Sequence, residues 1–122
     1  MFSGIDHYVL FVTDLAAAKA WYAAFGLAYS HGGDHGHFFA LPGGGLLMLH
    51  PSDTGPAGSA PQLYLHCADV HAALATHQAA GMECFSPNGP GPLPVQTPWG
   101  STEYCVRDAD GHVWGVVQAR AS

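Results

Sequence analysis

The sequence predicts an α+β fold of two successive modules, each running strand, helix and then about three strands. Three observations predict it: stretches of alternating apolar and polar residues, Ala-rich stretches that follow an Asp, and recurrence of that pattern at a constant offset. The first copy reads His7-Tyr-Val-Leu-Phe-Val-Thr-Asp14-Leu15-Ala-Ala17 and closes at Gly26-Leu27. The second reads Gln62-Leu-Tyr-Leu-His-Cys-Ala-Asp69-Val70-His-Ala72 and closes at Gly81-Met82, with Ala20 and Ala75 in the same frame. The modules span about 4–55 and 60–120 of a single domain, 1–122.

Each module opens with a strand. His7, Val9 and Phe11 share one face against Tyr8, Leu10 and Val12, and Gln62, Tyr64 and His66 share one against Leu63, Leu65 and Cys67. Asp14 and Asp69 stand where a helix N-cap belongs, because a carboxylate there accepts bonds from the first free amides. The Ala-rich runs behind them favour helix, and Gly26 and Gly81 suit the left-handed helix end. Trp21, Tyr22 and Phe25 lie at helical spacing and read as a buried face. His31 to His37, with three of the nine histidines, reads as a polar irregular loop. Phe38–Leu41 and Leu46–His50 flank Pro42-Gly-Gly-Gly45 as a hairpin, and Glu103–Arg107 and Val113–Gln118 flank the turn Asp108-Ala-Asp-Gly111. Trp114 is expected in the core, Asp108 and Asp110 in turn formation, and His112 facing solvent. Ser86 to Pro98, rich in Pro and Gly, is expected over a cleft or at a subunit contact.

The chain has 122 residues, 48% hydrophobic and 10% charged, the composition of a folded globule. Three Lys and Arg against nine Asp and Glu give a net charge of −6. Such a surface repels phosphate backbones and anionic lipids, which argues against nucleic-acid and membrane partners. Met1 to Leu10 carries Asp6 and His7 where an export signal needs basic and then apolar residues. Cys67, Cys84 and Cys105 are odd in number and lack C-x-x-C spacing, so reduced thiols and a cytoplasmic setting are expected.

Paired modules opening their helices with D-[LV]-x-x-A resemble the vicinal-oxygen-chelate superfamily, which includes glyoxalase I, extradiol dioxygenases, fosfomycin-resistance enzymes and bleomycin-binding proteins. Pro98-Trp99-Gly100-Ser-Thr-Glu103-Tyr104-Cys-Val-Arg107-Asp108-Ala-Asp110-Gly111 is similar to the P-W-G-x-E-F-x-x-R-D-P-x-G signature of its bleomycin-resistance branch. One extra residue precedes Glu103, and Ala109 replaces the usual Pro. The resemblance covers almost the whole chain. It implies a curved mixed sheet around a cleft, a small-molecule ligand and a homodimer.

Metal-using relatives place His or Glu on the first and last strand of each half. Carried over residue by residue, those positions are His7, Met48, Gln62 and Gly115. Only His7 is a good donor for the divalent metals concerned, which take imidazole and carboxylate ligands. His50 lies two residues beyond Met48 on the same strand face and offers an alternative pair, His7 and His50. The resemblance and this donor set together point to a binding protein with no catalytic residues and no cofactor, sequestering a bleomycin-like compound. The alternative is a metal-dependent lyase or dioxygenase on a divalent metal. Trp99 is the candidate stacking residue, and Glu103 is a negative charge for a cationic ligand. Gln62, Tyr64 and His66 complete the expected pocket of the second module, and His7, His50 and Phe38 that of the first. Phe38 and Phe39 must split between cleft and core, in an order the sequence leaves open.

Overall fold

The structure is a computed structural model that describes residues 1–52, 63–87, 89–98 and 100–118. Two of the expected ligand residues, Gln62 and Trp99, lie outside them. The chain divides into two compact units, Met1–Pro56 and Ala57–Ser122.

In the first unit, β1 (His7–Val12) leads into α1 (Leu15–Phe25), then β2 (Ala28–Gly33), β3 (Gly36–Ala40) and β4 (Leu46–Pro51). In the second, β5 (Leu63–His66) leads into α2 (Val70–Ala79), then β6 (Glu83–Phe85), β7 (Val95–Gln96), β8 (Thr102–Arg107) and β9 (Val113–Gln118). The sheet orders are β1-β4-β3-β2 and β5-β9-β8-β6, with β7 also paired to β8. In both, the opening strand runs parallel to the closing one and the remaining pairings are antiparallel. The fold is α+β with two mixed sheets, and the recurrence in sequence is a recurrence in topology.

The helix starts follow the Asp residues. Asp14 Oδ1 accepts from the Ala17 amide at 3.0 Å, and Asp69 Oδ1 from the His71 and Ala72 amides at 3.1 Å each. α1 stops at Gly26, whose φ of 120° a side chain would disfavour. Ala18, Tyr22 and Phe25 form the buried stripe of α1 against β3 and β4, where Leu47, Leu49 and Phe39 are fully buried. Val70, Leu74 and His77 form the stripe of α2, and the ring of His77 meets the Tyr104 hydroxyl at 2.7 Å. Trp114, Tyr104 and Val106 complete the core on that side of the second sheet.

Three expectations are corrected. Trp21 is half-buried, because it sits beside the Ala18–Tyr22–Phe25 stripe and lies stacked on Phe25 at 5.0 Å. His31 to His37 is a β-hairpin, with Asp34 and His35 as the turn between β2 and β3. Ring contacts hold it: His31 stacks on Phe38 at 4.6 Å, and the His37 ring meets the Tyr29 hydroxyl at 2.9 Å. His112 is 2% exposed. Asp108 draws it inward, with Oδ2 accepting from His112 Nδ1 at 2.6 Å and Oδ1 from the backbone amides of Asp110 and His112. The expected turn role of Asp108 and the core position of Trp114 stand.

Candidate functional site

Each sheet has a helix on one face, so the chemistry available to a ligand lies on the other. On the first sheet the pairing puts Val9, Met48, Phe38 and His31 in one cross-strand row. His7 and Leu46 lie to one side of it, Phe11 and His50 to the other. Phe38 therefore belongs to the open face, while Phe39 is buried against Tyr22 and Tyr29. Phe11 remains 48% exposed, and Val9 and Tyr8 are also exposed, an unusual density of apolar surface on one short strand.

His7 Nδ1 donates to Asp6 Oδ2 at 2.8 Å, and His50 Nδ1 donates to the Pro51 carbonyl at 2.9 Å. The two histidines are not brought together. His7 pairs with Leu46, and His50 lies four residues farther along β4, opposite Phe11. That spacing is about 13 Å along the strand, whereas both ligands of one ion must lie ~2 Å from it. Met48, beside Val9, offers a soft thioether in place of the imidazole or carboxylate that such divalent-metal sites use. Among the described residues no group of three or more His, Cys, Asp or Glu converges on a point.

On the second sheet the open face carries three rows. The first holds His66, Val117, Glu103 and Val95; the second Tyr64, Gly115, Cys105 and Phe85; the third Val113, Arg107 and Glu83. The expected alternation of Glu103, Cys105 and Arg107 along one face is present, with Tyr104 and Val106 buried on the other. Glu103 is 8% exposed, and its Oε2 accepts from the Ser101 hydroxyl, which in turn pairs with Thr97 Oγ1 at 2.8 Å. At the other end of β8, Arg107 pairs with Glu83 and lies over the Phe85 ring at 4.5 Å. Burial pushes the Cys105 thiol up to about 11; the Glu103 charge adds to the rise and Arg107 opposes it.

Tyr64 is 56% exposed, yet the inner face of its ring is seated on the sheet. A Cβ built on Gly115 would lie 2.3 Å from Tyr64 Cδ1 and 2.5 Å from Cε1, so the ring occupies the volume above that glycine. Desolvation raises the Tyr64 hydroxyl pKa, and the charges of Glu103 and Cys105 raise it further. Gly115 is the position where the resemblance places a carboxylate ligand. No side chain fits there while Tyr64 holds this pose, so among the described residues the donors of each unit do not suit a resident divalent metal.

Strand alternation put Tyr64 with His66, and Glu103 with Cys105 and Arg107, on shared faces as the pairing has them, but two features escaped it. Gly115 entered only as a missing ligand, and its service to Tyr64 depends on which residues the β5–β9 register sets opposite each other. A recess of about 370 Å³, lined by Cys84, Phe85, Ser86, Pro90 and Leu93, is formed by the Pro- and Gly-rich segment that follows β6. The turn residues signalled a loop there, but nothing in them signalled a concavity.

Residues 4–116 match the family described as the Glyoxalase/Bleomycin resistance protein/Dioxygenase superfamily. Among solved structures, the chain is similar to TnmS3, an antibiotic binding protein from Streptomyces sp. CB03234, at 29% identity and a TM-score of 0.75, covering 96% of each chain. It is similar in fold to the fosfomycin resistance protein FosX from Listeria monocytogenes, at 18% identity and a TM-score of 0.80, covering 98% of this chain and 95% of that one. The lactoylglutathione lyase of Agrobacterium tumefaciens is similar at 23% identity and a TM-score of 0.71, with 98% and 96% covered. No curated protein matches the sequence.

Proposed function

The chain belongs to the glyoxalase/bleomycin resistance protein/dioxygenase superfamily, and from that premise we propose that it binds and sequesters a small planar or cationic compound of the bleomycin-like kind without transforming it. One observation carries the reading: the Tyr64 ring is seated over Gly115, so an aromatic surface stands where a metal-using relative needs a carboxylate. Sequestration needs complementary surface and no general base. On the open face of the second unit Tyr64 supplies aromatic area and Glu103 a charge of the right sign for a cation, and on that of the first unit Phe38 and Phe11 supply aromatic area. The net charge of −6 favours approach of cations over anions. The likeness to an antibiotic binding protein at 29% identity supports the same reading.

Within this proposal the second unit offers Trp99 for stacking, Glu103, Tyr64 and Gln62 for polar selection and His66 as lining, and the first unit offers His7, His50 and Phe38. The protein acts as a homodimer in a reducing, cytoplasmic setting, consistent with free Cys67, Cys84 and Cys105. Among the described residues no helix is long and apolar enough to cross a membrane.

Fluorescence titration with bleomycin tests the binding, and sedimentation velocity tests the dimer. Saturable quenching that is lost in Trp99→Ala is the expected result. Elemental analysis of protein purified without a His-tag tests the enzymatic alternative. A stoichiometric metal that His7→Ala removes, accompanied by turnover, would replace sequestration with catalysis.

A further inference from the structure

Gly115 has no backbone reason to be glycine. It is absent from the positive-φ glycines and sits inside β9, paired with Tyr64 on one side and Cys105 on the other. Glycine in a strand interior ordinarily weakens the strand, so a close approach by another group is the physical reading of its presence. Here the approaching group is the Tyr64 ring. An alanine methyl would fall well inside the contact distance of three ring carbons. The glycine thus lets the ring lie low on the sheet with its outer face open, while the side chain as a whole stays 56% exposed.

The rows on either side of that ring differ in charge: one carries Glu103, the other the Arg107–Glu83 pair. Glu103, one row along the same face, is more than nine-tenths buried and hydrogen-bonded to Ser101, so its carboxylate is held in place. The positive group of this face, Arg107, is already paired with Glu83 and laid over Phe85, which leaves it less available to a ligand anion. A seated π-face next to a fixed carboxylate suits a planar ring that itself carries positive charge. Such a ring gains from stacking, from cation–π attraction and from the carboxylate together.

We propose that Gly115 and Tyr64 form one aromatic platform, with Gly115 as the positioning residue, and that together with Glu103 it selects ligands bearing a planar aromatic cation. The proposal rests on the sequestration reading and narrows its ligand to one chemical class.

N-methylacridinium and acridine at pH 8 form a pair of probes that share one planar ring system and differ in charge and by one methyl group. The protein is expected to bind the cation about tenfold more tightly than the neutral ring. Glu103→Gln is expected to cut that preference to the smaller part that cation–π attraction to the Tyr64 ring supplies. Gly115→Ala is expected to weaken both probes about tenfold by lifting the ring, and Tyr64→Leu to do the same. In the Tyr64→Leu background the further change Gly115→Ala should cost nothing, because the glycine acts through the tyrosine. A glycine with a merely structural role would weaken binding in both backgrounds, and thermal melts of each variant separate lost binding from lost fold.

Equal affinity for the two probes, binding of neither, or a Gly115→Ala effect that persists without the tyrosine would overturn the platform. Bleomycin titrated into the same samples keeps the two readings apart. Quenching by bleomycin with no discrimination between the acridines leaves sequestration standing and removes the platform. Discrimination that follows the expected pattern without bleomycin binding upholds the platform and removes the bleomycin-like ligand.

Discussion

Cys105 shows how a single side chain's surroundings set its chemistry. It is 1% exposed, and burial, with Glu103 beside it, pushes its thiol up to about 11. A thiol so placed is neutral and shielded at pH 8, and only the thiolate attacks an electrophile. Iodoacetamide is therefore expected to leave Cys105 unmodified in the native protein and to modify it in urea, read by peptide mass spectrometry. His37 is displaced in the other direction. Desolvation lowers its pKa below the ordinary 6.5, and the nearby Lys19 charge adds to the effect. The unfolded chain then takes up the proton more readily than the native one, so the stability held above pH 6.5 is lost as the pH falls through the lowered value. Urea melts between pH 7.5 and about 5 are expected to show less acid destabilisation in His37→Gln than in the parent. Alternation had already put Glu103, Cys105 and Arg107 on one face from the sequence. The burial of His112 was hidden, because it depends on Asp108 reaching three donors at once, a property of the folded turn.

At the scale of elements, the two helix starts were legible because capping is local: the carboxylate and the amides it serves lie within three residues. Asp14→Ala and Asp69→Ala are each expected to cost about 1 kcal/mol by urea denaturation, with Asn at either site retaining most of it. A loss confined to one site would show that the two copies of the motif are not equivalent in stability. The hairpins at Pro42–Gly45 and Asp108–Gly111 were legible for the same local reason. The hairpin of β2 and β3 was not, since its Gly and His residues carry little strand propensity and tertiary ring contacts hold it. The two-residue strand β7 escaped as well; two residues show no periodicity, and only pairing with β8 defines them.

On the scale of the whole molecule, each unit places one helix against one face of its own sheet. Trp114 and Tyr104 in the second unit, and Tyr22 and Phe39 in the first, are among the largest fully buried side chains. Trp114→Ala is expected to cost about 3–5 kcal/mol, a large share of the roughly 5–15 kcal/mol that holds a domain folded. Circular dichroism melts should show that variant largely unfolded at 37 °C, and a near-native melt would mean that the β9 core is looser than its burial indicates.

The amino-acid order by itself determined the α+β class, the two copies of the module, the helix caps and the family, because each is carried by short-range chemistry or by a contiguous motif. It also determined that His7 alone among the four carried-over metal positions is an imidazole or carboxylate, since that follows from side-chain identity. Only the tertiary structure decided which of Phe38 and Phe39 lies on the open face, that His7 and His50 stand four residues out of register, and that Tyr64 lies over Gly115. Those three depend on strand register, and register is set by how distant segments pack rather than by either segment alone.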